Sequence, residues 1–260
     1  MTTQREKAEL FRDLHSKGNP LILFNIWDAG SAKAIAEAGA KAIATSSWAV
    51  AAANGFADGE KLPFDFALAN LERIVASVAA PVTIDLEGGY TTDNAELKEN
   101  IKKALAAGAV GINFEDQIVG GEGLYTVENQ CARLEAIREV AEQASLPFFI
   151  NARTDVFLKT YPAKHDEDQL DEAIRRAAAY AQAGASGLFA PGLRDPAFIE
   201  KLCQLSPLPV NIMVLPDTPP PAALAKLGVA RISYGGTPYH QMTKALTDAG
   251  RKAFADYLSV

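Results

Sequence analysis

The chain has 260 residues, of which 48% are hydrophobic, so it can bury a sizeable core without disulfides or structural metals. Its formal net charge of −7 argues against a nucleic-acid partner, because binding to phosphate backbones needs a basic surface. No run of eighteen apolar residues and no apolar leader segment occurs, so neither membrane insertion nor export is expected.

Eight short apolar runs of strand length alternate with Ala-rich stretches of helical length. This alternation predicts parallel βα units, and eight units in a chain of this length predict one α/β domain over residues 1–260, a (β/α)8 barrel of the TIM type. In chain order, the predicted strands are Leu21–Asn25, Ala42–Ser46, Val82–Asp85, Val110–Glu115, Phe148–Arg153, Gly187–Ala190, Pro209–Met213 and Ala230–Tyr234.

A short glycine-centred triplet precedes every second predicted strand. Glycine at this position suits the left-handed residue that ends a helix before the chain turns into a strand. A doubly wound open sheet is the alternative fold, but the segment 25–30 after the first strand reads NIWDAG and is no GxGxxG motif. The triplets are Ala38-Gly39-Ala40, Ala107-Gly108-Ala109, Ala183-Gly184-Ala185 and the looser Leu227-Gly228-Val229.

Carboxylates close the third and fourth predicted strands, where a barrel enzyme has its active site. Asp85 and Glu87 share one face of strand three because they are two residues apart, and Glu115 ends strand four. Three converging carboxylates repel one another unless a cation is shared, and hard oxygen ligands select Mg²⁺ or Mn²⁺. The sequence therefore predicts a magnesium site with Asp85 as the direct ligand and the other two acting through water. For each acid alone, capping of a helix or turn is the alternative.

Polar residues at neighbouring strand ends are the predicted substrate contacts. Arg153 ends strand five, and its planar guanidinium suits a carboxylate or phosphonate, although a salt bridge to Glu115 is the alternative. The run Ser46-Ser47-Trp48 offers hydroxyl and backbone N–H donors to an oxyanion, or else forms a plain turn. Asn113 and Asn211 are expected to line the pocket, or to satisfy loop backbone groups.

Histidine, lysine and cysteine chemistry has no obvious place at this predicted barrel mouth. None of the three histidines ends a predicted strand, which disfavours a Ser-His-Asp hydrolase. Only Lys159 follows a predicted strand end, and it lies too far along the loop to be an evident Schiff-base nucleophile. Cys131 and Cys203 lie outside metal-binding spacings and suit a reducing compartment, so a cytoplasmic location is expected.

From about Phe24 to Met213 the chain resembles the isocitrate lyase and phosphoenolpyruvate mutase superfamily. The resemblance implies that carboxylates hold Mg²⁺, that the metal chelates a 2-oxo acid, and that a serine turn and an arginine bind the remaining oxygens. It also implies a homo-oligomer, a tetramer or dimer with exchanged C-terminal helices. The matching segments are Asp85-Leu86-Glu87-Gly88-Gly89-Tyr90-Thr91, Glu115-Asp116-Gln117, Arg153, Thr45-Ser46-Ser47 and the loop acid Asp58.

Two features depart from the superfamily pattern. Glu87 replaces an aspartate, which lengthens that side chain by one methylene. After strand four, isocitrate and methylisocitrate lyases carry Lys-Lys/Arg-Cys-Gly-His and phosphonomutases use a lysine and an asparagine, whereas residues 117–123 here read QIVGGEG. Glu122 or Tyr125 is therefore the predicted proton donor, if this loop closes over the site.

The expected function is that of a Mg²⁺-dependent lyase acting on a small 2-oxo or 2-hydroxy acid, by carbon–carbon cleavage or decarboxylation through a metal-stabilised enolate. One alternative is a phosphorus–carbon bond enzyme of the phosphonomutase or phosphonopyruvate hydrolase type. Another is a barrel that binds a 2-oxo acid without turnover. The expected catalytic residues are Asp58, Glu122, Tyr125 and Arg153.

Overall fold

The computed structural model describes residues 2–160 and 165–258, in which eight parallel strands alternate with helices. The strands are β1 Leu21–Leu23, β2 Ile43–Ala44, β3 Val82–Asp85, β4 Gly111–Glu115, β5 Phe149–Arg153, β6 Gly187–Phe189, β7 Val210–Met213 and β8 Arg231–Ser233. The helices are α1 Gln4–Asp13, α2 Ala29–Glu37, α3 Ser47–Ala53, α4 Phe64–Ser77, α5 Asn94–Ala106, α6 Val127–Gln143, α7 Glu167–Gln182, α8 Pro196–Leu205, α9 Pro221–Lys226 and α10 Thr237–Leu258.

The strands form one sheet in the order β1-β8-β7-β6-β5-β4-β3-β2, and neighbouring strands are parallel. Just beyond β1 and β2, a parallel bridge between Ile26 and Thr45 joins the two edges of the sheet. Ile26 N donates to the Ala44 carbonyl at 2.9 Å, and Ser46 N donates to the Ile26 carbonyl at 3.0 Å. The result is a nearly closed (β/α)8 barrel, which confirms the predicted fold.

The first two strands are shorter than predicted because the polar side chains at their ends form hydrogen bonds with loop and helix-cap groups. Asn25 Oδ1 accepts hydrogen bonds from Tyr234 N and Gly235 N, each at 2.9 Å. Ser46 is the N-cap of α3, where its side chain accepts from Ala49 N. Both residues therefore turn into loop and cap structure after only two or three residues of regular strand.

The glycine-centred triplets lie at helix ends, as the sequence predicts. Their glycines Gly39, Gly108, Gly184 and Gly228 have φ angles of 96°, 95°, 92° and 90°. At Gly108 a Cβ would also lie only 2.7 Å from Cγ1 of Val75. Glycine is needed here because side-chain-bearing residues are strained at such angles.

Three clusters of buried apolar residues pack the described part of the chain, and the two largest fill the barrel wall and the amino ends of the strands. The larger one lies between the strands and the surrounding helices. The smaller of these two joins α1 to the amino ends of the strands. In it the Phe11 ring contacts the Phe149 ring edge-on, with centroids 5.5 Å apart. In the described part of the chain, no helix is both long and apolar enough to cross a membrane.

Candidate active site

Asp85 lies half-buried at the carboxyl end of β3, where the first residue of α3 holds it. Ser47 donates to Oδ2 through its backbone N at 3.1 Å and through its hydroxyl at 2.8 Å. The backbone N of Asp85 donates to Thr45 Oγ1 at 2.9 Å. Among the described residues no hydrogen bond reaches Oδ1, so this oxygen is available to a ligand. The donors of Ser47, predicted to bind an oxyanion, are directed at Asp85 instead.

Glu87 is 6% exposed, and a neighbouring loop fixes its carboxylate. Glu60 N donates to Glu87 Oε2 at 2.9 Å, and Glu60 Oε1 accepts from Tyr90 N at 2.8 Å. All three residues have left-handed backbone, with φ angles of 58° at Glu60, 51° at Glu87 and 61° at Tyr90. Left-handed backbone at a non-glycine residue costs about 1–3 kcal/mol of stability and is found most often at ligand sites. The strain therefore supports a functional role for the two loops that carry these residues.

Glu115 is 3% exposed and forms an ion pair with Arg153, Oε2 to Nη1, at 2.8 Å. The alternative prediction for Arg153, a salt bridge to Glu115, is therefore present. A second acid, Asp155, holds the same guanidinium through Oδ1 to Nε at 2.6 Å and Oδ2 to Nη2 at 2.8 Å. Two carboxylates thus orient Arg153 toward the end of β4.

Several acidic side chains are grouped at this end of the barrel, and burial disfavours their charged forms. Burial raises the pKa of Glu87 to about 8, and Asp58 and Asp85 add to the shift. Burial also raises the pKa of Glu115 to about 8 against the opposing effect of Arg153. Partial burial of the carboxylate, followed by Asp85, raises the pKa of Asp58, although that residue as a whole is exposed. These four acids, Asp58, Asp85, Glu87 and Glu115, form what we call the acidic cluster.

The donor set of the acidic cluster suits a hydrated Mg²⁺ ion. Carboxylate oxygens are its preferred protein ligands, and a bound cation would stabilise the charged carboxylates that burial disfavours. In residues 2–160 and 165–258, no three acidic, histidine or cysteine side chains lie close enough to ligate one ion together. Mg²⁺ usually keeps several waters and takes one or two carboxylates, so Asp85 as direct ligand with Glu87 and Glu115 reached through water fits this geometry.

The predicted substrate contacts Asn113, Asn211 and Trp48 have partners within the protein. Asn113 and Asn211 are 5% and 1% exposed, and Asn151 Nδ2 donates to the Oδ1 atoms of both, at 2.9 and 3.0 Å. They therefore belong to a polar network in the barrel interior, and Asn113 in that network is aligned with Asp85 on β3. The Trp48 ring lies beside α10, with its centroid 4.3 Å from that of His240.

The loop between β4 and α6 places its two predicted proton donors differently. Tyr125 lines a cavity of about 100 Å³ together with Glu60 and Tyr90, and its hydroxyl accepts from Arg133 Nη1 at 3.3 Å. Glu122 lies exposed at the tip of the loop, and in the described structure it makes no hydrogen bond to the acidic cluster. Tyr125 therefore lies beside the loop residues that hold Glu87, whereas Glu122 is exposed to solvent.

Asp116 is a wholly buried acid that sequence reasoning did not assign to the site. Its Oδ2 binds Arg176 Nη1 at 2.9 Å and accepts from the Tyr180 hydroxyl at 2.8 Å. Its Oδ1 accepts from Asp155 N at 2.9 Å, so it fixes the residue that holds Arg153. Asp155 lies two residues after Arg153, and residues two apart share one face of a strand. This spacing is a signal from which their contact could have been predicted. The contacts of Asp116 with α7 have no such local signal.

Comparisons with known proteins agree on one family. A family model described as phosphoenolpyruvate phosphomutase matches residues 11–254. The 2-methylisocitrate lyase of Escherichia coli (strain K12) is 29% identical over 220 residues, covering 82% of this chain and 72% of the relative. A crystal structure of a provisionally named phosphonomutase from Burkholderia cenocepacia J2315 has 49% identity and a TM-score of 0.94, covering 96% of this chain and 100% of that one.

A phosphonopyruvate hydrolase solved in complex with oxalate and Mg²⁺ has the same fold. Its TM-score is 0.83 at 21% identity, and the match covers 96% of this chain and 87% of that chain. The match of the family model extends over nearly the whole described barrel, including every strand. The chain therefore belongs to the phosphoenolpyruvate phosphomutase family.

Proposed function

We propose that the protein is a Mg²⁺-dependent lyase acting on a small 2-oxo or 2-hydroxy acid, with Mn²⁺ as a possible substitute metal. The observation that carries this proposal is the group of acids at the carboxyl end of the barrel: Glu87 and Glu115 are buried, and Asp85 keeps one oxygen outside its hydrogen bonds with Ser47. When bound, Mg²⁺ would supply positive charge to the oxygens of the acid while negative charge develops next to its carbonyl. A protein of the same fold that binds oxalate and Mg²⁺ together supports this assignment.

The residues of the chain have distinct roles in this proposal. Asp85 offers Oδ1 to the metal while Ser47 holds its other oxygen. Arg153 binds the substrate carboxylate: Asp155 accepts from two of the five N–H donors of the guanidinium and Glu115 forms an ion pair at Nη1, so donors remain for a substrate. The substrate is thereby oriented between the metal and a fixed positive charge, as carbon–carbon cleavage requires.

Proton transfer is assigned to the loop between β4 and α6. Tyr125 lies in the wall of the cavity next to Glu60 and Tyr90, within the same end of the barrel. Glu122 would reach the reacting carbon only if the tip of the loop moved inward, as in enzymes whose loops close over substrate. Asp58, on the loop after α3, interacts with Asp85 and is the other acid of the proposed catalytic set.

A phosphorus–carbon bond enzyme is the second candidate, because the 49% identical structure carries a provisional phosphonomutase name. The same acidic cluster and Arg153 would bind a phosphonate group as well as a carboxylate. A barrel that binds a 2-oxo acid without turnover is the third candidate, since residues 117–123 contain no lysine or cysteine.

We also propose a cytoplasmic location and a homo-oligomeric state. Cys131 and Cys203 are free thiols, which suits a reducing compartment. Helix α10 exposes large apolar side chains that a second copy of the chain could cover.

The reaction is tested with purified protein, Mg²⁺ and a panel of oxaloacetate, methylisocitrate, malate-like acids and phosphonopyruvate. Consumption of one of the carbon acids is the expected result. Turnover of phosphonopyruvate alone would favour the second candidate. Mg²⁺-dependent binding of oxalate without consumption of any panel member would contradict the lyase assignment.

The metal site is tested by Asp85→Asn, which keeps an acceptor for Ser47 but removes the charge. Because even changes beyond the direct ligands weaken metal binding about 10–100-fold, we expect Mg²⁺ affinity to fall by more than about 100-fold, with loss of oxalate binding. Isothermal titration calorimetry measures both. Asp65→Asn, an exposed acid in the first turn of α4, is the matched control and should bind Mg²⁺ as the native protein does. Unchanged affinity in Asp85→Asn would refute the site assignment.

A further inference from the structure

Arg231 is a guanidinium buried in the barrel interior without a carboxylate partner. It is 1% exposed, and Nη2 donates to Asn113 Oδ1 at 3.0 Å. Nε and Nη1 have no hydrogen-bond partner in the described structure. A buried charge that is neither paired nor fully hydrogen-bonded is costly, so its presence calls for a physical reason.

A hydrogen bond across the barrel places this charge next to the strands that carry the acidic cluster. Arg231 belongs to β8 and reaches across the barrel to Asn113 on β4. Asn113 is aligned with Asp85 on the adjacent β3 and lies two residues before Glu115, on the same face of β4. Two residues of strand span about 7 Å, so the amide that Arg231 contacts lies level with Asp85 and about 7 Å along the strand from Glu115.

Arg231 remains charged in this position. Burial lowers the pKa of its guanidinium to about 9, and Asp85 opposes that shift. The group is therefore a cation at neutral pH that interacts with at least one residue of the acidic cluster. In a low-dielectric interior such an interaction is much stronger than it would be in water.

Hydrogen bonding alone does not explain why an arginine occupies this position. Asn113 Oδ1 already accepts from Asn151 Nδ2 at 2.9 Å, so the amide would keep a partner without Arg231. The neighbouring Asn211 and Ser233 bond to each other, Oγ to Oδ1, at 3.2 Å. The polar network is thus connected without the guanidinium, and the distinctive contribution of Arg231 is its charge.

We propose that Arg231 is a positioning residue that sets the charge balance of the barrel mouth, weakening the binding of the divalent cation and strengthening the binding of the dianionic ligand that follows it. This inference rests on the proposed function, since it needs a metal and an anion at the acidic cluster. A fixed charge held by the barrel needs no reorganisation when the ligands arrive. Because Mg²⁺ and oxalate carry equal and opposite charges, the two effects should cancel for the pair.

The test compares Mg²⁺ binding to the metal-free protein with oxalate binding to the Mg²⁺-saturated protein, both by calorimetry near neutral pH. For Arg231→Met we expect Mg²⁺ to bind about tenfold more tightly and oxalate about tenfold more weakly. The product of the two association constants should therefore remain almost unchanged. Arg231→Lys keeps the charge and is the matched control, with both constants close to those of the native protein.

A second variant keeps the proposal testable if Arg231→Met does not fold. Asn113→Asp places a carboxylate at the atom that now accepts from Nη2 and so neutralises the guanidinium with the arginine still in place. It should likewise tighten Mg²⁺ binding and weaken oxalate binding. Circular dichroism shows which variants are folded.

Each other outcome overturns the proposal. A purely structural role would weaken both ligands together in Arg231→Met and would not be reproduced by Asn113→Asp. Native affinities in both variants would refute the inference about Arg231 and leave the proposed function intact. A native protein that shows no Mg²⁺-dependent oxalate binding would refute the proposed function, and the inference with it.

Discussion

The role of Arg153 depends on Asp155, a neighbour two residues further along the chain. The two side chains form a bidentate pair, with both Asp155 oxygens on the guanidinium. Bidentate pairs are directional as well as strong, so the arginine is held in one orientation. A substrate carboxylate would therefore meet a preorganised donor and would not have to order a flexible side chain. Asp155 in turn depends on Asp116, which accepts its backbone N–H.

His15 gives the protein a predictable response to acid. Its ring stacks on Phe149 with centroids 3.9 Å apart, and Nδ1 bonds to the Phe11 carbonyl at 2.7 Å. Burial lowers the pKa of His15 to about 3, and the charge of Arg231 adds to this. An unfolded histidine has a pKa near 6.5, so below about pH 6.5 the unfolded chain takes up a proton that the folded chain does not. The free energy of unfolding should therefore fall from about pH 6.5 toward pH 3, by at most about 1.4 kcal/mol per pH unit from this residue.

Urea unfolding at about pH 7 and pH 5 measures this contribution. His15→Gln should lose less stability between the two values than the native protein, because the variant has no imidazole to protonate in its unfolded state. His240→Gln, which changes an exposed histidine, is the control and should follow the native protein. Identical losses in all three proteins would contradict the prediction.

Helix α7 anchors the end of β4 through Arg176 and Tyr180, both of which bind Asp116. Removing one partner of a buried pair leaves the other charge uncompensated, and this typically costs about 3–5 kcal/mol. We therefore expect Arg176→Met to lower the free energy of unfolding by about this amount, measured by chemical denaturation. Arg176 also donates to the Tyr125 carbonyl at 3.1 Å, so the base of the loop should loosen in the same variant.

Arg175→Gln is the matched control for this element. Arg175 neighbours Arg176 in sequence, but it is exposed and pairs with Glu172 at the surface, at 2.7 Å. An exposed pair contributes at most about 1 kcal/mol, so this variant should remain close to native stability. If both substitutions lowered the free energy of unfolding by the same small amount, the contacts of Arg176 with Asp116 would not be what anchors the end of β4.

The molecule as a whole presents an uncovered apolar helix at its C-terminal end. On α10, Leu246, Phe254 and Tyr257 are 69%, 72% and 82% exposed. Exposed apolar side chains grouped on one helix mark an interaction surface. In most soluble homo-oligomers such a surface is buried against the same chain in a closed, symmetric assembly. We therefore expect the native protein to sediment as a dimer or tetramer. The double variant Leu246→Glu, Phe254→Glu should sediment as a monomer, because it places charges on that surface.

Lys252→Glu is the control for this variant, since it changes the charge of an exposed polar position on the same helix. It should leave the sedimentation coefficient at the native value. A native protein that is monomeric at micromolar concentration would contradict the prediction, as would a double variant that assembles normally.

Local sequence rules determined the architecture and the outline of the site. Strand-length apolar runs predict the eight strands, and glycine predicts the left-handed helix ends at positions such as Gly108, whose φ is 95°. These features follow from rules that act over a few residues: burial on both faces of a parallel strand and the lack of a Cβ in glycine. The sequence also predicts Asp85 and Glu87 on one face of strand three, but β3 ends at Asp85 and the φ of Glu87 is 51°, so a turn and not the strand places Glu87. The metal role of both residues stays a prediction.

Contacts between distant segments were decided by the tertiary structure alone. Ser47 binds Asp85, Arg176 binds Asp116, and Arg231 reaches Asn113, across 38, 60 and 118 residues of chain. No local pattern encodes these pairs, because they depend on how the strands are staggered when the barrel closes and on which side chains then face each other. Closure therefore decides which acids are satisfied by the protein itself, and which keep an oxygen for a ligand.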